Sequence, residues 1–117
     1  MIFYGISRDF SLIDEEQYET IGQFWDEMAE IHGLENLMGL GYNWGGGKIS
    51  YAIGLKNAQI KDYNVSIVLP DENWAVAKGK TDDLKQIYDE IYKSGPLTFE
   101  IETFFENGNC EIRYYRK

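Results

Sequence analysis

The stretch Thr81–Tyr115, TDDLKQIYDEIYKSGPLTFEIETFFENGNCEIRYY, decides the fold. It opens as a helix. Thr81 stands where a cap is wanted, and Asp82 and Asp83 follow in the first turn, where carboxylates favour the positive end of the helix dipole. Leu84, Ile87, Tyr88, Ile91 and Tyr92 recur at helical spacing and predict one buried stripe. Gly95-Pro96 stops the helix. Residues 97–104 and 110–115 then read as an antiparallel hairpin across Glu106-Asn107-Gly108-Asn109, with Asn107-Gly108 as the turn signal. A hairpin of this kind has to join a sheet, and an amphipathic helix has to lie on it.

Working outward, residues 73–78 read as a strand ended by Gly79. Val65–Leu69 is a shorter one, closed by Pro70-Asp71. Residues 56–64, with Asn57, Lys61, Asp62 and Asn64, read as a polar loop. The N-terminal half repeats the order. Residues 2–12 predict a strand. Asp14 is the expected N-cap of a helix, with Glu15 and Glu16 in its first turn, Gln17 at capping-box spacing, and Ile13 and Tyr18 at staple spacing. The stripe of that helix is Tyr18, Ile21, Trp25, Met28 and Ile31 or His32, and Gly33 ends it. Residues 37–43 and 48–55 are strands joined through Gly45-Gly46-Gly47, the second alternating Ile49, Tyr51 and Ile53. The chain therefore reads as a single α+β domain, residues 1–117, of tandem β-α-β-β modules. They are expected to share one antiparallel sheet, with two helices on one face and a ligand cleft on the other.

Composition narrows the function. The chain has 117 residues, 44% hydrophobic and 15% aromatic, which suits one packed core and argues against disorder. The net charge of −9 repels phosphate backbones, so direct binding to nucleic acid is not expected. No apolar run approaches membrane-spanning length. Met1-Ile2-Phe3-Tyr4-Gly5 lacks the basic start of a signal peptide, and a cytoplasmic location is expected. The lone Cys110 excludes an intrachain disulfide and reads as a buried strand thiol. With a single His32, no zinc site built from His and Cys and no Cys–His nucleophile is available. No cofactor or metal is expected. Gly39-Leu40-Gly41 and Gly45-Gly46-Gly47 lead into a strand rather than a helix, so they read as turn chemistry and not as a phosphate cradle.

The candidate site comes from the last hairpin. Phe99 and Ile101 alternate with Glu100 and Glu102. The apolar pair is expected to face the helices, leaving both carboxylates on the opposite face, either solvated or lining a cleft. Trp44, Trp74, Tyr42, Tyr51, Tyr63, Tyr114 and Tyr115 exceed what two small helices can cover. A carboxylate among aromatic faces suits an organic cation, each ring adding roughly 0.5–2 kcal/mol of cation–π attraction. A desolvated glutamate would also hold its proton more tightly and could serve as general acid or base.

These residues resemble the GyrI-like effector-binding family, also found as the ligand-sensing domain of some AraC- and MerR-type regulators. Thr20-Ile21 with Phe24-Trp25 resembles the family's first-helix pattern. Tyr51-Ala52-Ile53-Gly54 is similar to its Tyr-x-Ile-Gly strand. Leu69-Pro70, then Trp74-Ala75-Val76 and Gly79, resembles its segment before the second helix, which Ile87-Tyr88-Asp89-Glu90-Ile91-Tyr92 fits. Phe99-Glu100 looks like its Phe-Glu-x-Tyr strand, and Cys110–Tyr115 like its closing strand. The resemblance implies tandem β-α-β-β modules and a pocket for amphipathic, often cationic compounds, with Glu100 and Tyr51 projecting into it. Trp25, Trp44, Trp74 and Glu102 complete the candidate ligand-binding set.

The chain departs from the family pattern at Glu102, where the family has Tyr. It also departs in a closing strand without proline that ends in Arg113, Arg116 and Lys117. Arg113 is a candidate to pair with Glu100 or Glu102 across the hairpin. The expected function is stand-alone binding, sequestering or sensing of a small amphipathic compound, cationic or aromatic. Two alternatives follow from the resemblance. One is hydrolysis of cyclopropanoid electrophiles with Glu100 as general base; otherwise no catalytic residue is assigned. The other is a protein-interaction role modulating DNA gyrase.

Overall fold

The chain folds as β1 (Ile2–Ser11), α1 (Gln17–His32), β2 (Leu37–Gly45), β3 (Lys48–Leu55), β4 (Val65–Val68), β5 (Ala75–Lys80), α2 (Leu84–Tyr92), β6 (Phe99–Phe104) and β7 (Asn109–Tyr115). This is a computed structural model that describes residues 1–116; Lys117 lies outside them. Gly33 ends α1 at φ 85° and Gly108 turns the last hairpin at φ 87°, both in the region that side chains disfavour. No helix among the described residues is long and apolar enough to cross a membrane.

Both helix starts differ from expectation. Asp14 does not cap α1. It sits at φ 52° in a 3-10 turn, Ile13–Glu15, and α1 begins after Glu16 with no side-chain cap. Glu16 N–H donates to Ile13 O at 3.1 Å, so the tight turn takes up the helix entry, and Ile13 is left exposed rather than stapled to Tyr18. Thr81 behaves alike. It opens a 3-10 turn, Thr81–Asp83, and its N–H donates to Gly108 O at 2.8 Å, tying the entry of α2 to the last hairpin. The α1 stripe is also rotated. Phe24 is buried beside Trp25 and Met28, whereas Ile31 points outward.

All seven strands form one sheet in the order β4-β1-β3-β2-β6-β7-β5, with every pairing antiparallel. Within it, β1-β3-β2 and β6-β7-β5 are the same three-strand arrangement in mirrored order, joined where β2 meets β6. An antiparallel seam between equivalent strands relates the two β-α-β-β modules by a pseudo-two-fold. The extra strand β4 pairs only with β1 and makes one edge.

Both helices pack on one face. Phe24, Trp25 and Met28 of α1 meet Tyr51, Ile53, Phe104 and Cys110. Tyr88 and Ile91 of α2 meet Leu97 and Ile112. The opposite face buries Phe3, Leu40, Ala52 and Ile101 under Leu69 and Trp74. Residues 69–74 connect β4 at one edge to β5 at the other. A flat seven-stranded sheet would separate its edge strands by about 29 Å, at about 4.8 Å per strand spacing. Seven Cα steps reach only about 25 Å. The sheet must therefore curl, with this segment drawn as a chord across the face away from the helices.

Candidate functional site

Strand pairing sets the site. Glu100 lies opposite Gly41 and Tyr114, and Glu102 opposite Gly39 and Ile112. Directly paired residues share a sheet face. Ile112 packs under α2, so both glutamates face the helices, and Phe99 and Ile101 face the crossing segment. This reverses the expected facing, and the expected cleft on the face away from the helices is occupied by Leu69 and Trp74. The reason is that both sheet faces are covered here, so the apolar member of an alternating pair does not identify the helix side.

Gly39 and Gly41 make the facing sterically workable. A Cβ at Gly39 would stand 2.7 Å from Tyr51 Cζ and 2.8 Å from Trp25 Cζ2. One at Gly41 would stand 2.7 Å from Glu100 Oε1. The bare backbone of β2 is the floor across which Tyr51 and Glu100 lie. The seam pairs Gly-x-Gly of one module with Glu-x-Glu of the other, so one half supplies room and the other charge. Reading Gly39-Leu40-Gly41 as turn chemistry missed this; glycines two apart inside a strand were the available signal.

Both carboxylates are 4% exposed. Trp25 Nε1–H donates to the Tyr51 hydroxyl at 2.9 Å, and Tyr51 in turn donates to Glu102 Oε1. The Tyr88 hydroxyl donates to Glu102 Oε2 at 2.6 Å. The Tyr92 hydroxyl donates to Glu100 Oε2 at 3.0 Å. Glu102 thus has a hydroxyl on each oxygen, and Glu100 on only one. Burial pushes the proton affinity of Glu100 well above the ordinary carboxylate range, and the neighbouring Glu102 charge adds to it, against the Tyr92 hydroxyl that Glu100 accepts from and the nearby Tyr88, whose own hydrogen bond goes to Glu102. Glu102 is raised by burial and held back by its two tyrosine donors. Burial is also the main cause that raises Tyr51 and Tyr88, with the carboxylate charges adding to it, so both hydroxyls stay protonated as donors. Tyr18, beside the same pair, is pushed up to about 12, chiefly by burial.

These groups line a cavity of about 530 Å³ between the two helices and the middle of the sheet. That is within the range of small-molecule sites, about 300–1,000 Å³. Helix α1 contributes Gln17, Tyr18, Ile21 and Trp25, helix α2 contributes Leu84, Tyr88 and Tyr92, and the sheet contributes Trp44, Ile49, Tyr51, Glu100, Glu102 and Phe104. Trp25 stands edge-on to Phe104 at 4.8 Å between centroids, and Tyr88 stacks on Tyr92 at 5.6 Å. No Lys, Arg or His lines the cavity among the described residues, whereas Asp26, Asp82 and Glu106 add to its acidic wall. No cluster of three His, Cys, Asp or Glu side chains among the described residues could hold a metal ion.

Five of the six candidate residues therefore line one cavity: Glu100, Glu102, Tyr51, Trp25 and Trp44. Trp74 does not. It packs on the opposite face against Phe99 and Tyr115, and its indole N–H donates to Pro70 O at 2.8 Å. Arg113 does not neutralise the carboxylates either. It pairs in register with Ile101, so it faces away from them and lies 5.4 Å from the Trp74 ring. Of the remaining surplus aromatics, Tyr42 hydrogen-bonds Ser7 at 2.6 Å and Tyr63 stands edge-on to Tyr4, both outside the cavity. Tyr88 and Tyr92 are cavity-lining residues the helix stripe concealed. A tyrosine on a buried stripe needs a partner for its hydroxyl, and two in succession at i, i+4 pointed to a shared polar target. No protein-family model, curated protein or solved structure matches the chain.

Proposed function

We propose that this chain is a small-molecule binding module of the GyrI-like kind, holding an amphipathic organic cation between its helices and its sheet. One observation carries the reading: two buried carboxylates, with no cationic side chain among the described lining residues, face a cavity walled by Trp25, Trp44, Tyr18, Tyr88 and Tyr92. A buried anion favours a cationic guest, and the ring faces prefer one with apolar or aromatic substituents. The residue pattern and the tandem β-α-β-β order support the family reading. Glu100 is the receiving group, because Glu102 already has a hydroxyl on each oxygen.

Tryptophan fluorescence, titrated with benzyltrimethylammonium and with tetraphenylphosphonium, tests this. Saturable quenching is expected, from Trp25 and Trp44 in the wall. Glu100→Gln should weaken binding about 10- to 100-fold, as for loss of a buried charged partner. Unchanged affinity in Glu100→Gln would refute the assignment.

A second reading uses the same pocket. Glu100 has a raised proton affinity, faces the cavity and carries a hydroxyl on only one oxygen, which suits it to take a proton from water during hydrolysis of a bound electrophile. Turnover of cyclopropane-bearing electrophiles that disappears in Glu100→Gln would favour hydrolysis; binding without turnover would favour the carrier or sensor role.

A further inference from the structure

Of the four oxygens on the two buried carboxylates, three receive a hydroxyl and one receives nothing. Glu102 accepts from Tyr51 on Oε1 and from Tyr88 on Oε2. Glu100 accepts from Tyr92 on Oε2. Its Oε1 has no donor among the described residues, yet it is not sealed from the surface; Gln17 Oε1 is the one side-chain atom among them both sealed and unpaired. The Glu100 side chain is otherwise buried, at 4% exposure, and the space it borders is the cavity. On the sheet side Oε1 rests against the bare backbone of Gly41, where an added Cβ would stand 2.7 Å away. A donor therefore reaches Oε1 from the cavity. An acceptor so placed costs free energy until a donor meets it.

We infer that the ligand is a protonated amine rather than a quaternary ion, and that one of its N–H groups donates to Glu100 Oε1. The inference rests on the cation-binding reading and narrows it from any hydrophobic cation to one whose charged centre is also a donor. A quaternary ammonium or phosphonium ion answers the charge but brings no hydrogen, so it leaves Oε1 unpaired and holds its own centre farther off behind a methyl or aryl group. An N–H answers both. A charge-assisted hydrogen bond is shorter and about twice as strong as a neutral one. The ring faces around the site attract either kind of cation, so they do not decide between them. Water hydrates an N–H better than an N–methyl group, which takes back part of the gain. The net preference expected is about 3- to 30-fold in affinity. Glu102 holds Tyr51 and Tyr88 in place and does not receive the amine.

The test compares N,N-dimethylphenethylamine with phenethyltrimethylammonium, which differs by a methyl in place of the one hydrogen on nitrogen. At about pH 7 both are cations, because alkylamines titrate near the lysine range. Each is titrated by tryptophan fluorescence against the wild-type chain, Glu100→Gln and Glu102→Gln. The tertiary amine should bind the wild type about 3- to 30-fold more tightly than the quaternary ion. In Glu100→Gln that ratio should shrink to within about twofold, because a neutral amide oxygen is the weaker acceptor. In Glu102→Gln the ratio should persist. The inference is overturned if the quaternary ion binds the wild type as tightly as the amine, if the ratio survives in Glu100→Gln, or if it disappears in Glu102→Gln. The cation reading fails separately, if neither compound binds or if both bind Glu100→Gln as tightly as wild type. Taking the ratio of two ligands on one variant cancels any loss of folded protein, so a merely structural role for either glutamate would leave it unmoved.

Discussion

At the residue scale, Glu100 and Glu102 differ in how many hydroxyls each receives rather than in burial. That difference has a consequence for stability. Both carboxylates hold protons more tightly in the folded chain than in the unfolded one, where they return to ordinary values. The folded state then binds more protons, so stability is greatest at or below the ordinary carboxylate range and falls as pH rises through the raised folded values. Above the ordinary carboxylate range, until the raised folded values are passed, the ligand-free protein should lose stability as pH rises, at up to about 1.4 kcal/mol per pH unit for each proton involved. Glu100→Gln, which cannot ionise, should flatten that slope in urea unfolding series. An equal slope in wild type and variant would show that surface acids cause it. A bound cation should flatten it too, because it takes the place of the proton.

At the scale of single elements, β2 and α2 matter most. Strand β2 contributes its absence of side chains: Gly39 and Gly41 leave the floor on which Tyr51 and Glu100 lie. Gly39→Ala would drive a methyl into both Tyr51 and Trp25. Overpacking of this sort costs about 1–3 kcal/mol. It should also displace the Trp25–Tyr51–Glu102 chain of hydrogen bonds. The expected result is a lower unfolding midpoint together with altered tryptophan emission. Emission and midpoint unchanged from wild type would mean that the floor is not tight. Helix α2 is only nine residues long, so its position depends on tertiary contacts more than on its own propensity. The hydroxyls of Tyr88 and Tyr92 are among those contacts, joining the helix to the carboxylates it covers.

At the scale of the whole molecule, the pseudo-two-fold brings the glycine pair of one module onto the glutamate pair of the other, and the cavity opens between the two helices. The opposite face is closed by residues 69–74. Trp74 belongs to that closure and not to the cavity, which separates its effects from those of the site. Trp74→Ala should destabilise the chain by about 3–5 kcal/mol if the ring is as well packed as a core aromatic. Its partial exposure places the expected value toward the lower end. Affinity of the still-folded fraction for a hydrophobic cation should stay within about twofold, well below the effect of losing one buried contact. A large loss of affinity without loss of stability would place Trp74 in the site after all.

The sequence by itself determined the order of elements, their turns and the identity of the acidic hairpin. Those depend on local chemistry: Asn107-Gly108 at a tight turn, Gly33 after an amphipathic helix, and alternation along Phe99–Glu102. It also named five residues of the cavity wall, because a glutamate pair and surplus aromatics are visible as residue types. Tertiary structure alone decided which way they face. Alternation divides a strand into two faces but does not label them, and here the crossing of residues 69–74 covers one face with Leu69 and Trp74 while the helices cover the other. The apolar side of β6 went to the crossing segment, and the carboxylates went to the helices. Trp74 and Arg113 left the site by the same choice. The hydroxyl shell around Glu102 was invisible for a related reason: Tyr51, Tyr88 and Glu102 lie on three separate elements and meet only when the sheet is assembled beneath the helices.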